Sequence, residues 1–362
     1  MIRQQRGFSL VELMVAMTVT LIVSGAIYGL LTSGSSAFRR EPEVADRQQN
    51  IRVAMDVISR DVFNAGAALP AFAQVFTFDD PAGGACAGGG LNGCGEVGAL
   101  GPAAASARAP GDGGDPSTNS DVLEILTIAE NCPQVQVCGG TPGSSGVLVT
   151  LTPVASCLDV SSFALVVNSV APNFAIQPVL DPSGAASSCG TPTLNGTVNL
   201  AAPVQPWAPG GAIDPAFVYA ARVVRYRIGP SSDPSDPNPA LWRSNTGGYA
   251  ADGSAVAEPG EAGFPDPSSP WELVARGIED LQIEYRAGDG LWRNRPPQVA
   301  DSVWDTLVRE VRITLSARAS AANLQGATAA DGADYNAVRG QLTTVVAPRS
   351  AFNELQMGGQ IQ

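Results

Sequence analysis

From Phe8 to Leu31 the chain runs through twenty-four residues with one charged side chain, Glu12. Coiled as a helix, such a run rises about 36 Å, enough to cross a bilayer core of roughly 30 Å. Arg3 and Arg6 precede it. The positive-inside bias therefore places the N-terminus in the cytoplasm and the bulk of the chain outside. Arg39 and Arg40, on the far side of the run, weaken that bias without reversing it. Whatever follows is a body tethered at one end and exported.

An ordinary secretory signal carries its cleavage site after the apolar stretch, among small residues. Here the glycine lies before it, in Gly7-Phe8-Ser9-Leu10-Val11-Glu12. That string resembles the leader of type IV prepilins. The resemblance implies a prepilin peptidase cutting between Gly7 and Phe8, N-methylation of Phe8, and Glu12 as the fifth residue of the mature chain. The energetics agree with it. A carboxylate inside a membrane helix costs about 2.5 kcal/mol or more unless it is paired. Cleavage at Gly7 would create a charged amine on Phe8, and a neighbouring subunit's amine could neutralise Glu12 in a packed filament. The alternative is a plain signal anchor whose glutamate lies near the headgroups.

Beyond the membrane run, Pro42 permits a kink or a restart. Val44, Ile51, Met55, Ile58 and Val62 then recur at helical spacing, and the apolar stripe they form needs a surface to cover. Asp46, Arg47, Arg52, Asp56, Arg60 and Asp61 make up the wet side. The pattern stops at Ala65-Gly66, a plausible helix end. The expectation is a long, two-part helix whose second half packs on the exported body.

Composition narrows the chemistry of that body. The chain has 362 residues with no His, and its 21 basic residues are all Arg. Without His there is no Ser-His-Asp or Cys-His system and no imidazole metal ligand. Without Lys no phosphate-binding Walker loop or Schiff base can be completed. No enzymatic activity and no cofactor are expected. A formal net charge of -13 argues against general nucleic-acid binding, which needs a positive face. Gly 40 and Pro 28 against 15% charged residues suit a loop-rich β protein.

Six cysteines, Cys86, Cys94, Cys132, Cys138, Cys157 and Cys189, lie in the middle of the chain. None forms a C-x-x-C pair. In an exported protein an even count reads as disulfides, with fifteen possible connectivities. Proximity favours Cys86–Cys94, Cys132–Cys138 and Cys157–Cys189, and a zinc cluster is the rival. Strands are expected at 121–128, 147–152, 163–167, 217–228, 281–286, 311–318 and 341–347, several of them alternating apolar and polar residues as half-buried antiparallel strands do. Leu241-Trp242-Arg243 and Leu291-Trp292-Arg293 recur, each downstream of a Tyr-Arg pair (Tyr226-Arg227, Tyr285-Arg286), as a repeated hairpin would.

The fold expected is therefore α+β. A pilin helix over 8–66, transmembrane over 8–31, follows a leader at 1–7. It packs on an antiparallel sheet over 211–362, with a loop-rich, disulfide-bearing insertion at 67–210. The order of motifs in the C-terminal third, ending in Thr343-Thr-Val-Val-Ala-Pro-Arg349, resembles the PilW-like minor pilins. That resemblance implies a low-copy pilus subunit. Its partners would be other pilins and minor pilins, the prepilin peptidase and inner-membrane lipid. Its locations would be the inner membrane before assembly and the cell-surface pilus after it. A J-like minor pseudopilin of a type II secretion system and a pilin-anchored adhesin are the alternatives. Acidic loops offer calcium candidates at Asp112, Asp115 and Asp121 and at Asp233 and Asp236, although neither group matches an EF-hand loop. Asp-Pro pairs there serve equally as turn starters.

Overall fold

The stripe from Ile51 to Val62 is buried, and the rest of the fold is arranged around it. The computed structural model describes residues 9–66, 76–77, 120–128, 132, 134–141, 146–151, 158, 163–168, 174–181, 196–200, 216–231, 238–248, 256–257, 259, 263–264, 269–293, 308–319 and 338–349. One helix, α1, spans Leu10–Asn64 without a break. Its 55 residues would reach about 82 Å end to end. Pro42 lies inside it rather than dividing it. Proline removes a single ladder bond there, and the turns on either side continue.

The strands that follow are β1 (Phe76–Thr77), β2 (Leu123–Ile128), β3 (Val135–Thr141), β4 (Val147–Thr150), β5 (Phe163–Asn168), β6 (Phe174–Asp181) and β7 (Gly196–Leu200). After them come β8 (Ala216–Pro230), β9 (Pro239–Ser244), β10 (Trp271–Arg276), β11 (Ile278–Arg286), β12 (Trp292–Arg293), β13 (Glu310–Arg318) and β14 (Arg339–Val346). They form a large sheet of ten strands and a small one in the order β12-β11-β13-β14, and every pairing is antiparallel.

Within the large sheet the pairings β8–β3, β3–β4, β4–β7, β7–β6, β6–β5 and β5–β8 close a ring. The described part of the segment expected to be loop-rich thus supplies five strands of a six-stranded antiparallel barrel, and β8 supplies the sixth. Its interior is filled by Val135, Val137, Leu148, Ala164, Val166, Val179, Val198, Ala216, Val218 and Ala220. Small and β-branched side chains suit so narrow a lumen, and closure leaves the ring no free edge. The strands β3, β6 and β7 were not expected from the sequence. Their Gly, Pro and Asn content masks the alternation that marks β11 and β13.

The strand β8 belongs to two neighbourhoods. Its first residues close the barrel, and from Ala221 to Pro230 it pairs with β2 on one side and β9 on the other. The two sheets join at Gly277, the one residue between β10 and β11. Gly277 adopts φ 73°, donates its N–H to the Pro239 carbonyl at 2.7 Å, and accepts from the Arg318 N–H at 2.8 Å. A Cβ there would stand 2.7 Å from the Arg318 carbonyl oxygen. A left-handed, crowded corner of this kind requires glycine.

The second half of α1 covers both sheets. Ile51, Ala54, Met55, Ile58, Val62 and Ala65 share one core with Ile125, Tyr226, Ile283, Ile313 and Leu315, among others. The recurrent Tyr-Arg and Trp-Arg segments are hairpins in one register. Tyr226 faces Arg243 and Arg227 faces Trp242, just as Tyr285 faces Arg293 and Arg286 faces Trp292.

Candidate assembly site

The first stretch of α1, Leu10–Leu31, is buried nowhere among the described residues. Its mean hydropathy is 2.1. Leu10 is 75% exposed, Ile22 72% and Leu30 74%. So large an apolar surface on an unsupported helix calls for lipid or other helices around it. Two of its hydroxyls are satisfied from within. The Thr18 hydroxyl donates to the Val15 carbonyl at 2.9 Å and the Thr20 hydroxyl to Ala16 at 2.7 Å. Hydroxyls bonded in this way can enter hydrocarbon at little cost.

Glu12 occupies the first turn, where the helix dipole favours a negative charge. Its Oε2 accepts the Ser9 N–H at 3.3 Å, and the Leu13 N–H reaches the Ser9 carbonyl at 3.2 Å. The bond from Ser9 is long and solvent-exposed, so a stronger cationic donor can replace it. Gly7 and Phe8, expected as the processing site, lie outside the described residues.

A second set of polar contacts fixes the other end of the helix. Asp61 Oδ2 accepts from Arg243 Nε at 2.8 Å and from the Tyr226 hydroxyl, and Arg243 Nε also lies 3.1 Å from that hydroxyl. Burial raises the Tyr226 pKa, and the Asp61 carboxylate adds to the effect. Further up the helix, Arg47 donates to the Arg339 carbonyl at 2.5 Å and Asn50 to the Arg276 carbonyl at 3.2 Å. Asp61 and Arg47, assigned by sequence to the solvated side, therefore hold the helix down. Arg52, Asp56 and Arg60 are solvated as expected. No pattern in the sequence distinguishes the two groups, because Tyr226 and Arg243 lie more than a hundred residues away.

Of the cysteines, Cys138 is disulfide-bonded, and Cys132 is not its partner. This corrects the pairing read from proximity. Cys132 packs into the barrel core instead, whereas Cys138 occupies an alternate position on β3, beside the inward-facing Val137. Cys86, Cys94, Cys157 and Cys189 lie outside the described residues. So do Asp112, Asp115, Asp233 and Asp236. Asp121 is described, and its Oδ2 accepts the Ile283 N–H at 2.8 Å. Among the described residues no group of three His, Cys, Asp or Glu is placed to hold a metal ion.

Residues 2–28 match the family described as the prokaryotic N-terminal methylation motif. That motif, on an apolar helix with no side chain of Leu10–Leu31 buried among the described residues, marks a type IV prepilin-like protein. The helix followed by antiparallel sheets is an α+β arrangement. Among solved structures, a type IV-like pilin from Thermus thermophilus aligns at 14% identity over 54% of this chain and 85% of that one. Its TM-score of 0.21 is too low to define a shared fold. Comparison with curated proteins gave no match.

Proposed function

We propose that the chain is a minor, low-copy subunit of a type IV pilus, of the PilW-like kind. Prepilin peptidase cuts it between Gly7 and Phe8 and methylates Phe8. Leu10–Leu31 then holds it in the inner membrane, N-terminus inward, until it is drawn into the filament. There Glu12 exchanges the Ser9 N–H for the N-terminal amine of a neighbouring pilin and sets the axial register between subunits. The observation that carries this reading is the methylation motif over residues 2–28, on a helix that is wholly exposed for 22 residues and held to the body by described contacts from Arg47 onward. The bulk of the barrel-bearing body favours the tip over a repeating shaft position.

The test is mass spectrometry of the chain from its native membrane, with labelled imaging of sheared filaments. The expected result is a mature N-terminus at methylated Phe8 and a few labels per filament, at an end. An intact Met1 in a filament-free membrane protein would overturn the proposal. Label spread along the shaft would remove the tip position and leave the pilin reading standing. The closed barrel, which helix packing does not require, favours a second role as a displayed adhesin. A J-like pseudopilin would instead be found with a secretion system and not in extracellular pili.

A further inference from the structure

The lead into β2 ties the two sheets together. Asp121 donates its N–H to the Leu281 carbonyl at 2.8 Å, Ile283 returns a bond to Asp121 Oδ2 at 2.8 Å, and the Leu281 N–H reaches Ser120 Oγ at 2.8 Å. From Leu123 onward the same strand pairs with β8. Ser120 and Asp121 thus extend the small sheet, and the residues directly after them belong to the large sheet that carries the barrel. We infer that this seam is a protonation-controlled joint: a neutral Asp121 holds the lead of β2 on β11, and an ionised Asp121 loosens it.

Among the described residues, the charge that acts on Asp121 is one that disfavours an anion. From β11 it faces Asp280, a second carboxylate, and Tyr285, whose pKa is raised by burial and then by Asp121 and Glu124. On its own strand Glu124 is committed to Arg225 of β8 across the register. Glu279 of β11 is engaged by Arg318 of β13 and Arg339 of β14. Arg225, Arg318 and Arg339, on three of the strands of the two sheets, are thus engaged by other carboxylates. Burial raises the Asp121 pKa from 3.8 to about 7, against the pull of the Ile283 N–H and with a further push from Asp280. Burial likewise raises Asp280, while its hydrogen bond from Gln282 opposes the shift.

The sign follows from linkage. A carboxyl whose folded pKa lies above its unfolded value favours the closed seam when protonated. That contribution is complete below about pH 4 and is lost as the pH rises through about 7. Neutral and mildly alkaline surroundings loosen the joint, and mildly acidic ones tighten it.

The experiment is amide hydrogen exchange of the full chain in detergent micelles at pH 5.5 and 8.5, corrected for intrinsic rates. It reads Asp121, Leu281 and Ile283 against Ile313 as an internal reference. The expected result is opening on the order of tenfold more frequent at pH 8.5 at the seam alone. Asp121→Asn, which keeps the acceptor oxygen and cannot ionise, should show the same protection at both values. Asp280→Asn removes the like charge and should move the wild-type transition to lower pH. Seam protection that does not change with pH in the wild type would overturn the inference, as would a change that persists in Asp121→Asn.

Discussion

Two single residues illustrate what this fold asks of its side chains. Gly277 turns the chain from one sheet to the other, and Gly277→Ala forces both a left-handed backbone and a contact of 2.7 Å. A loss of about 1–3 kcal/mol is expected in urea unfolding. A loss below about 0.5 kcal/mol would mean that the corner rearranges freely. Asp61 is the hub between helix and sheet, and Asp61→Ala leaves Arg243 and the Tyr226 hydroxyl without their shared acceptor. Breaking a half-buried pair of this kind should cost about 2–4 kcal/mol, whereas Tyr226→Phe, which deletes one hydrogen bond, should cost about 1–2 kcal/mol. Equal losses from the two would show that Arg243 does not depend on Asp61. Neither role was legible in the sequence. Gly277 is one of 40 glycines, and Asp61 sits among charges that alternate along the helix.

The helix illustrates at the next scale what can be read in advance and why. Its stripe of Ile51, Met55, Ile58 and Val62 follows the 3.6-residue period, so its burial could be expected from spacing alone. The same holds for β11 and β13, whose period-two alternation fixes which face meets the core. The barrel strands lacked that signal. Val135-Gln-Val-Cys-Gly-Gly-Thr141 shows its alternation only once closure of the ring defines an inside. The two halves of α1 should separate cleanly under mutation. Ile58→Ala opens a hole in the shared core and should cost about 2–5 kcal/mol of unfolding free energy. Ile22→Asp touches no described side chain and should leave unfolding unchanged. It should still release the protein from the membrane fraction, because a central charge costs about 2.5–3.5 kcal/mol in a bilayer. Retention of that variant in washed membranes would show that something other than this segment anchors the chain.

At the scale of the whole molecule, a single chain builds a lipid-compatible rod, a closed barrel and a clamped sheet pair. The rod announces itself from the first residues, and the barrel shows only in pairings between strands far apart in sequence. One strand passes between the last two parts. The long β8 contributes its beginning to the ring and its remainder to six paired positions with β2 and six with β9. If, in the proposed pilus, the barrel is held by an outside surface while the anchor is pulled, a load directed along β8 meets both of its pairings. The hydrogen bonds on both its flanks then bear that load together, in shear, rather than parting one at a time as they would if the strand were peeled sideways. A strand shared in this way makes the joint between anchor and barrel hard to tear.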